Sequence, residues 1–65
     1  MREEIRTYNG ITIGYIEDRG NELYAYQYSG IYLGKYNKRD NITYSSNGMG
    51  IARGNILSAL IWEKR

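Results

Sequence analysis

The chain contains no cysteine, no histidine, no proline and no phenylalanine. Without cysteine it has no disulfide framework and no thiolate metal site, and without histidine the commonest general base and metal ligand is missing. Long apolar runs are missing too. The longest, Ile56 to Trp62, is far too short to cross a bilayer, and the acidic Met1-Arg2-Glu3-Glu4 start lacks the pattern of a signal peptide. These features lead to the expectation of a cytoplasmic chain with no membrane partner. At 65 residues there is room for one small domain, 1–65, which buries only about 60% of the surface its unfolded chain exposes. Oligomerisation is an obvious remedy for such a thin core.

What is present is tyrosine, isoleucine and glycine. Aromatic and β-branched residues recur along the whole chain, which is the composition of ordered β structure. Charge is uneven. Residues 1–22 carry Arg2, Arg6 and Arg19 against Glu3, Glu4, Glu17, Asp18 and Glu22, whereas residues 23–65 carry six Lys/Arg against Asp40 and Glu63. The basic half is mild beside the stripe that nucleic-acid binding usually requires.

A repeat organises the sequence. Asn9-Gly10-Ile11-Thr12-Ile13-Gly14, Ser29-Gly30-Ile31-Tyr32-Leu33-Gly34 and Asn47-Gly48-Met49-Gly50-Ile51-Ala52 align as three copies of a polar-Gly-x-x-aliphatic-small unit. Each leading pair reads as a two-residue type I′ turn, with positive φ at both positions. Between the copies lie two longer polar loops, Asp18-Arg19-Gly20-Asn21 and Lys38-Arg39-Asp40-Asn41. Six strands are therefore expected near 3–8, 11–17, 22–28, 31–37, 41–46 and 49–53. They form an antiparallel meander over 3–53 that is either an open curled sheet or a small barrel. Asn55 reads as the N-cap of a helix over 55–63, with Ile56, Leu57, Leu60 and Ile61 on one side.

Alternation along the strands sorts the side chains into two faces. Type I′ turns and a Glu17/Glu22 pairing put Tyr8, Ile11, Ile13, Tyr15, Tyr24, Tyr26, Tyr28, Ile31, Leu33, Tyr44, Met49 and Ile51 on one face, among Arg6, Lys35 and Arg53. The other face receives Ile5, Ile16, Leu23, Tyr32 and Tyr36 around a trough of Gly14, Ala25, Gly34 and Ser45. The helix is expected to dock in that trough, where Gly34→Leu would overpack.

No catalytic constellation is recognisable. Glu17, Asp18 and Glu22 surround one turn and read as a solvated acidic loop rather than a metal site. The glycines of residues 48–54 invite comparison with a phosphate loop, but the βαβ context that motif needs is missing. We therefore expect no enzyme activity, no cofactor, no metal and no small-molecule substrate. The tyrosine face is the candidate interaction surface, through Tyr8, Ile13, Tyr15, Tyr24, Tyr26, Tyr28, Leu33 and Tyr44. Tyrosine suits it because the ring is apolar, the tip is polar and little rotamer entropy is lost on burial. A homodimer or another protein partner is the first expectation. The alternative is single-stranded nucleic acid, with bases stacked on the tyrosines and phosphates met by Arg6, Lys35 and Arg53.

The three glycine units, together with Thr43-Tyr44 ahead of Asn47-Gly48 and the Gly54-Asn55-Ile56-Leu57-Ser58-Ala59-Leu60-Ile61 ending, resemble a group of short, mostly uncharacterised bacterial proteins. These occur in genomes and in mobile elements such as prophages and transposons. The resemblance covers most of residues 8–61 and implies a shared hairpin architecture in a small bacterial accessory protein. It brings no catalytic residue with it.

Overall fold

The computed structural model describes residues 2–64, so Met1 and Arg65, the ends of the expected 1–65 domain, lie outside the described residues. Six strands follow one another, β1 (Arg2–Arg6), β2 (Thr12–Asp18), β3 (Glu22–Gln27), β4 (Tyr32–Asn37), β5 (Ile42–Ser45) and β6 (Gly50–Arg53), and one helix, α1 (Leu57–Lys64), ends the chain. Consecutive strands pair antiparallel in the order β1 to β6. The expected meander and terminal helix are both present.

The sheet is open, the first of the two expected forms, but it is uncurled and does not close into a small barrel. Closure is unnecessary because the helix completes the core. Leu57 and Ile61 lie fully buried against Ile13 and Ala25, with Ile5, Ile16, Leu23, Leu33, Tyr36 and Leu60 packed around them. Burying a side chain of this size stabilises a fold by roughly 1.5 to 3 kcal/mol, so two of them hold down a helix too short to persist alone.

Close approach of the helix depends on two glycines. A Cβ built on Gly14 would stand 2.6 Å from Ile61 Cγ2 and 2.5 Å from the Tyr26 carbonyl oxygen. One built on Gly34 would collide with the Tyr44 carbonyl and reach 3.0 Å from Leu60 Cδ1. The trough of small residues is thus where the helix sits.

Asn55 caps the helix as expected, its Oδ1 accepting the Leu57 N–H at 3.0 Å. The junction is held from the sheet as well. Thr43 is completely buried, donates its hydroxyl to the Gly54 carbonyl at 2.5 Å and accepts the Ile56 N–H at 3.2 Å. One side chain thereby ties β5 to the start of the helix.

Candidate interaction surface

The three glycine units share one turn, and it is not type I′. In the first, Thr7 N–H donates to the Ile11 carbonyl and Gly10 N–H to the Thr7 carbonyl, each at 2.9 Å. Gln27, Gly30 and Ile31 repeat the arrangement, as do Ser45, Gly48 and Met49. Only the glycine has positive φ, at 87°, 98° and 90° in turn, whereas Asn9, Ser29 and Asn47 do not. Each loop therefore has three residues, a type I turn followed by a left-handed glycine.

That extra loop residue carries a register consequence. Pairing shifts between Ile5 and Arg6, between Ala25 and Tyr26, and between Thr43 and Tyr44. The surplus residue in the facing strand is Ile13, Leu33 or Ile51, the aliphatic position of each repeat. A bulge breaks the alternation, so residues on its two sides swap faces. Ile13 and Leu33 consequently join the core under the helix instead of the tyrosine face. Tyr32, expected beneath the helix, lies opposite Tyr26 on the tyrosine face. Ile51 sits exposed at the β6 edge.

The register between β2 and β3 differs as well. Tyr15 faces Tyr26 and Glu17 faces Tyr24, two residues from the expected pairing. Arg19 N–H donates to the Glu22 carbonyl at 2.9 Å, so Gly20-Asn21 forms a tight two-residue turn with Gly20 at φ 94°. An even shift preserves the faces. The Asn37/Ile42 pairing across the other polar loop is as expected.

The tyrosine face is a half-buried aromatic ladder set among ion pairs. Tyr15 stacks on Tyr26 with ring centroids 5.2 Å apart, and Tyr32 lies 5.8 Å from Tyr26 and 5.9 Å from Tyr24. Arg2 lies over the Tyr15 ring at 4.6 Å, and Arg19 over Tyr24 at 4.5 Å. Polar tips are engaged too. Tyr24 donates to Glu22 at 2.8 Å and Tyr44 to Asp40 at 2.6 Å, and each bond raises the pKa of its phenol. Lys35 pairs with Glu22 at 2.8 Å, which holds the carboxyl below and the amine above their ordinary values. Of the expected nucleic-acid contacts, Arg6 is bound to Glu4, Lys35 is bound to Glu22, and Arg53 stands at the exposed edge strand.

The acidic residues around Gly20 are paired likewise, Glu17 with Arg19 at 2.6 Å and Asp18 with Lys38 at 3.5 Å. Among the described residues no group of carboxylates is arranged to hold a metal ion. A shallow groove of about 510 Å³ beside the helix start is lined by Ile16 and Leu23 with Arg2, Glu3, Asp18 and Asn55.

The most exposed large apolar side chains lie elsewhere. In a meander, alternate turns fall at the same end of the sheet, so the three glycine turns share one end. There Tyr8 is 99% exposed, Tyr28 71%, Met49 65%, Ile11 61% and Ile31 58%. Residues 7–12, 27–32 and 45–50 contain no charged side chain. Tyr8 and Tyr28 are thus on this rim rather than on the ladder with Tyr15, Tyr24, Tyr26 and Tyr44. Ile11, Ile31 and Met49, which alternation puts on the tyrosine face but which are not among the candidate contact residues, are exposed on this rim too. The missing charge in all three turns was the available signal.

No helix among the described residues is long and apolar enough to cross a membrane. No family model matches the chain, and neither a curated protein nor a solved structure matches it.

Proposed function

We propose that this chain is a small non-enzymatic protein-binding module that self-associates, and that its contact surface is the uncharged turn rim. The observation that carries the reading is the gathering of Tyr8, Ile11, Tyr28, Ile31 and Met49 at one end, each more exposed than buried. Contiguous exposed apolar surface of this kind marks interaction sites. Tyr, Ser, Asn and Gly at the tips of β-turns also make up the composition that antibody loops use for protein recognition. The aromatic ladder supports the rim from behind, with its hydroxyls and rings already engaged by Glu22, Asp40, Arg2 and Arg19. Glu4, Glu17, Asp18 and Glu22 are paired with cations in open surroundings, which speaks against a tuned acid or base. A cytoplasmic site of action suits a chain without cysteine.

Dilution followed by amide NMR tests the reading. Shifts confined to residues 8–11, 28–31 and 46–49 are expected as the protein dissociates. Shifts on Tyr15, Tyr24 and Tyr26 would move the interface to the ladder, and concentration-independent spectra would remove self-association.

Single-stranded nucleic acid ranks second, favoured by the stacked rings of Tyr15, Tyr26 and Tyr32. Glu4, Glu17 and Glu22 share that face and oppose phosphate. Retention on immobilised oligothymidine that weakens as salt rises would promote it.

A further inference from the structure

We infer that the occupant of the turn rim is a second copy of this chain, joined end to end about a two-fold axis normal to the sheet, so that the middle turn meets itself and the first turn meets the partner's third. The inference rests on the self-association reading and specifies its geometry.

Charge selects the occupant. The opposite end of the sheet carries Asp18, Arg19, Glu22, Lys38, Arg39 and Asp40, and the tyrosine face carries Glu17, Glu22 and Lys35. Desolvating any of these against an apolar rim is costly. A matching surface on the same molecule is the rim itself, and a patch that matches itself forms a closed, isologous pair. Phosphate-bearing partners find no cation among the three turns. Insertion into a bilayer would strip water from Asn9, Ser29, Asn47 and the turn peptides, which hydrocarbon does not tolerate.

Spacing and size select the axis. Successive glycine turns are two strands apart, about 9.6 Å at ordinary strand separation. Equal spacing lets a two-fold axis through the middle turn bring the first turn onto the third. The first turn presents Tyr8 and Ile11, whereas the third presents Ser46 and Met49. Bulky Tyr8 thus meets small Ser46 at both ends of the contact. A two-fold axis along the rim would instead set Tyr8 on Tyr8 and Ser46 on Ser46, crowding one end and leaving a gap at the other. Area is adequate. A standard interface removes about 800 Å² per partner, nearly a fifth of the 4411 Å² exposed here. The two tyrosines supply roughly 300 to 400 Å² of it, and Ile11, Ile31 and Met49 extend the patch.

Because the chain has no cysteine, single thiols can be introduced without background. Ser29→Cys, Asn9→Cys, Ser46→Cys and, at the charged end, Lys38→Cys are oxidised mildly, with light scattering on each unoxidised sample. Ser29→Cys is expected to cross-link with itself. Mixed Asn9→Cys and Ser46→Cys should give roughly tenfold more heterodimer than either gives homodimer, because the contact raises the effective concentration of the matched thiols. Lys38→Cys should stay uncross-linked. If Asn9→Cys and Ser46→Cys each pair with themselves, or dimers form without rim cross-links, this geometry is overturned while self-association stands. A monomeric mass in every unoxidised sample overturns both.

Discussion

The two ends of the sheet are closed by different turns and carry opposite chemistry. At one end three glycine turns expose Tyr8, Ile11, Tyr28, Ile31 and Met49 without a charge in residues 7–12, 27–32 or 45–50. At the other, the Gly20-Asn21 turn and the loop around Asn41, held at φ 58°, carry ion pairs of Arg19 with Glu17 and Lys38 with Asp18. The charged end also contains the work of folding. There Gly54 N–H reaches the Asn41 carbonyl at 2.7 Å, and Thr43 fastens the helix junction. The three glycine turns demand a glycine and little else, so the remaining residues at their tips are free to be chosen for other reasons. At the uncharged end those residues include large apolar side chains that the chain leaves mostly uncovered.

The sharpest way to break this contrast is to damage the supports. Gly34→Leu should lower stability by about 3 kcal/mol, the upper part of the usual overpacking range, since both the Tyr44 carbonyl and Leu60 stand in the way. Urea unfolding would read it, and an unchanged midpoint would take the helix off the trough. Next comes Thr43→Val, expected to cost about 2 kcal/mol because the Gly54 carbonyl and Ile56 N–H lose a buried partner. Tyr26→Ala, which removes two ring contacts from the ladder, should cost about 1 kcal/mol beyond its lost area while leaving the association state intact.

Acid sharpens the contrast further. Glu22 and Asp18 titrate lower in the fold than their ordinary 4.5 and 3.8, held down first by the Lys35 bond and by the Gly20 N–H respectively. Their stabilisation is present above those values and is lost as pH falls through the lower, folded ones. A melting temperature that declines below about pH 4.5, less steeply in Glu22→Gln, is expected, whereas the rim has nothing to titrate there. Smallest of all, Tyr8→Ala should change the unfolding free energy of dilute monomer by under about 0.5 kcal/mol, read by urea unfolding, because its ring is 99% exposed.

Strand order, the helix and its Asn55 cap are legible from turn glycines and apolar spacing alone. The faces are only half legible. Asn-Gly and Ser-Gly fit both a two-residue type I′ turn and a three-residue turn ending in a left-handed glycine, and the two differ by one residue. That single residue, absorbed as a bulge at Ile13 and Leu33, moved both into the core and brought Tyr32 up beside Tyr26. The β2/β3 register erred by two, which costs a pairing but no face. Tyr15, Tyr24, Tyr26 and Tyr44 share one face, as alternation expects. The exposed rim was hidden because exposure at a turn tip depends on which residues the loop leaves outside the ladder.

The central claim is that the uncharged end, and not the charged one, is the contact surface. Light scattering across a concentration series, on wild type, Ile31→Lys at the rim and Arg39→Glu at the opposite end, tests it most directly. The account predicts a dimeric mass for wild type and Arg39→Glu, and the 7.6 kDa monomer for Ile31→Lys with its circular dichroism unchanged. A dimer that survives Ile31→Lys, or dissolves with Arg39→Glu, would contradict it.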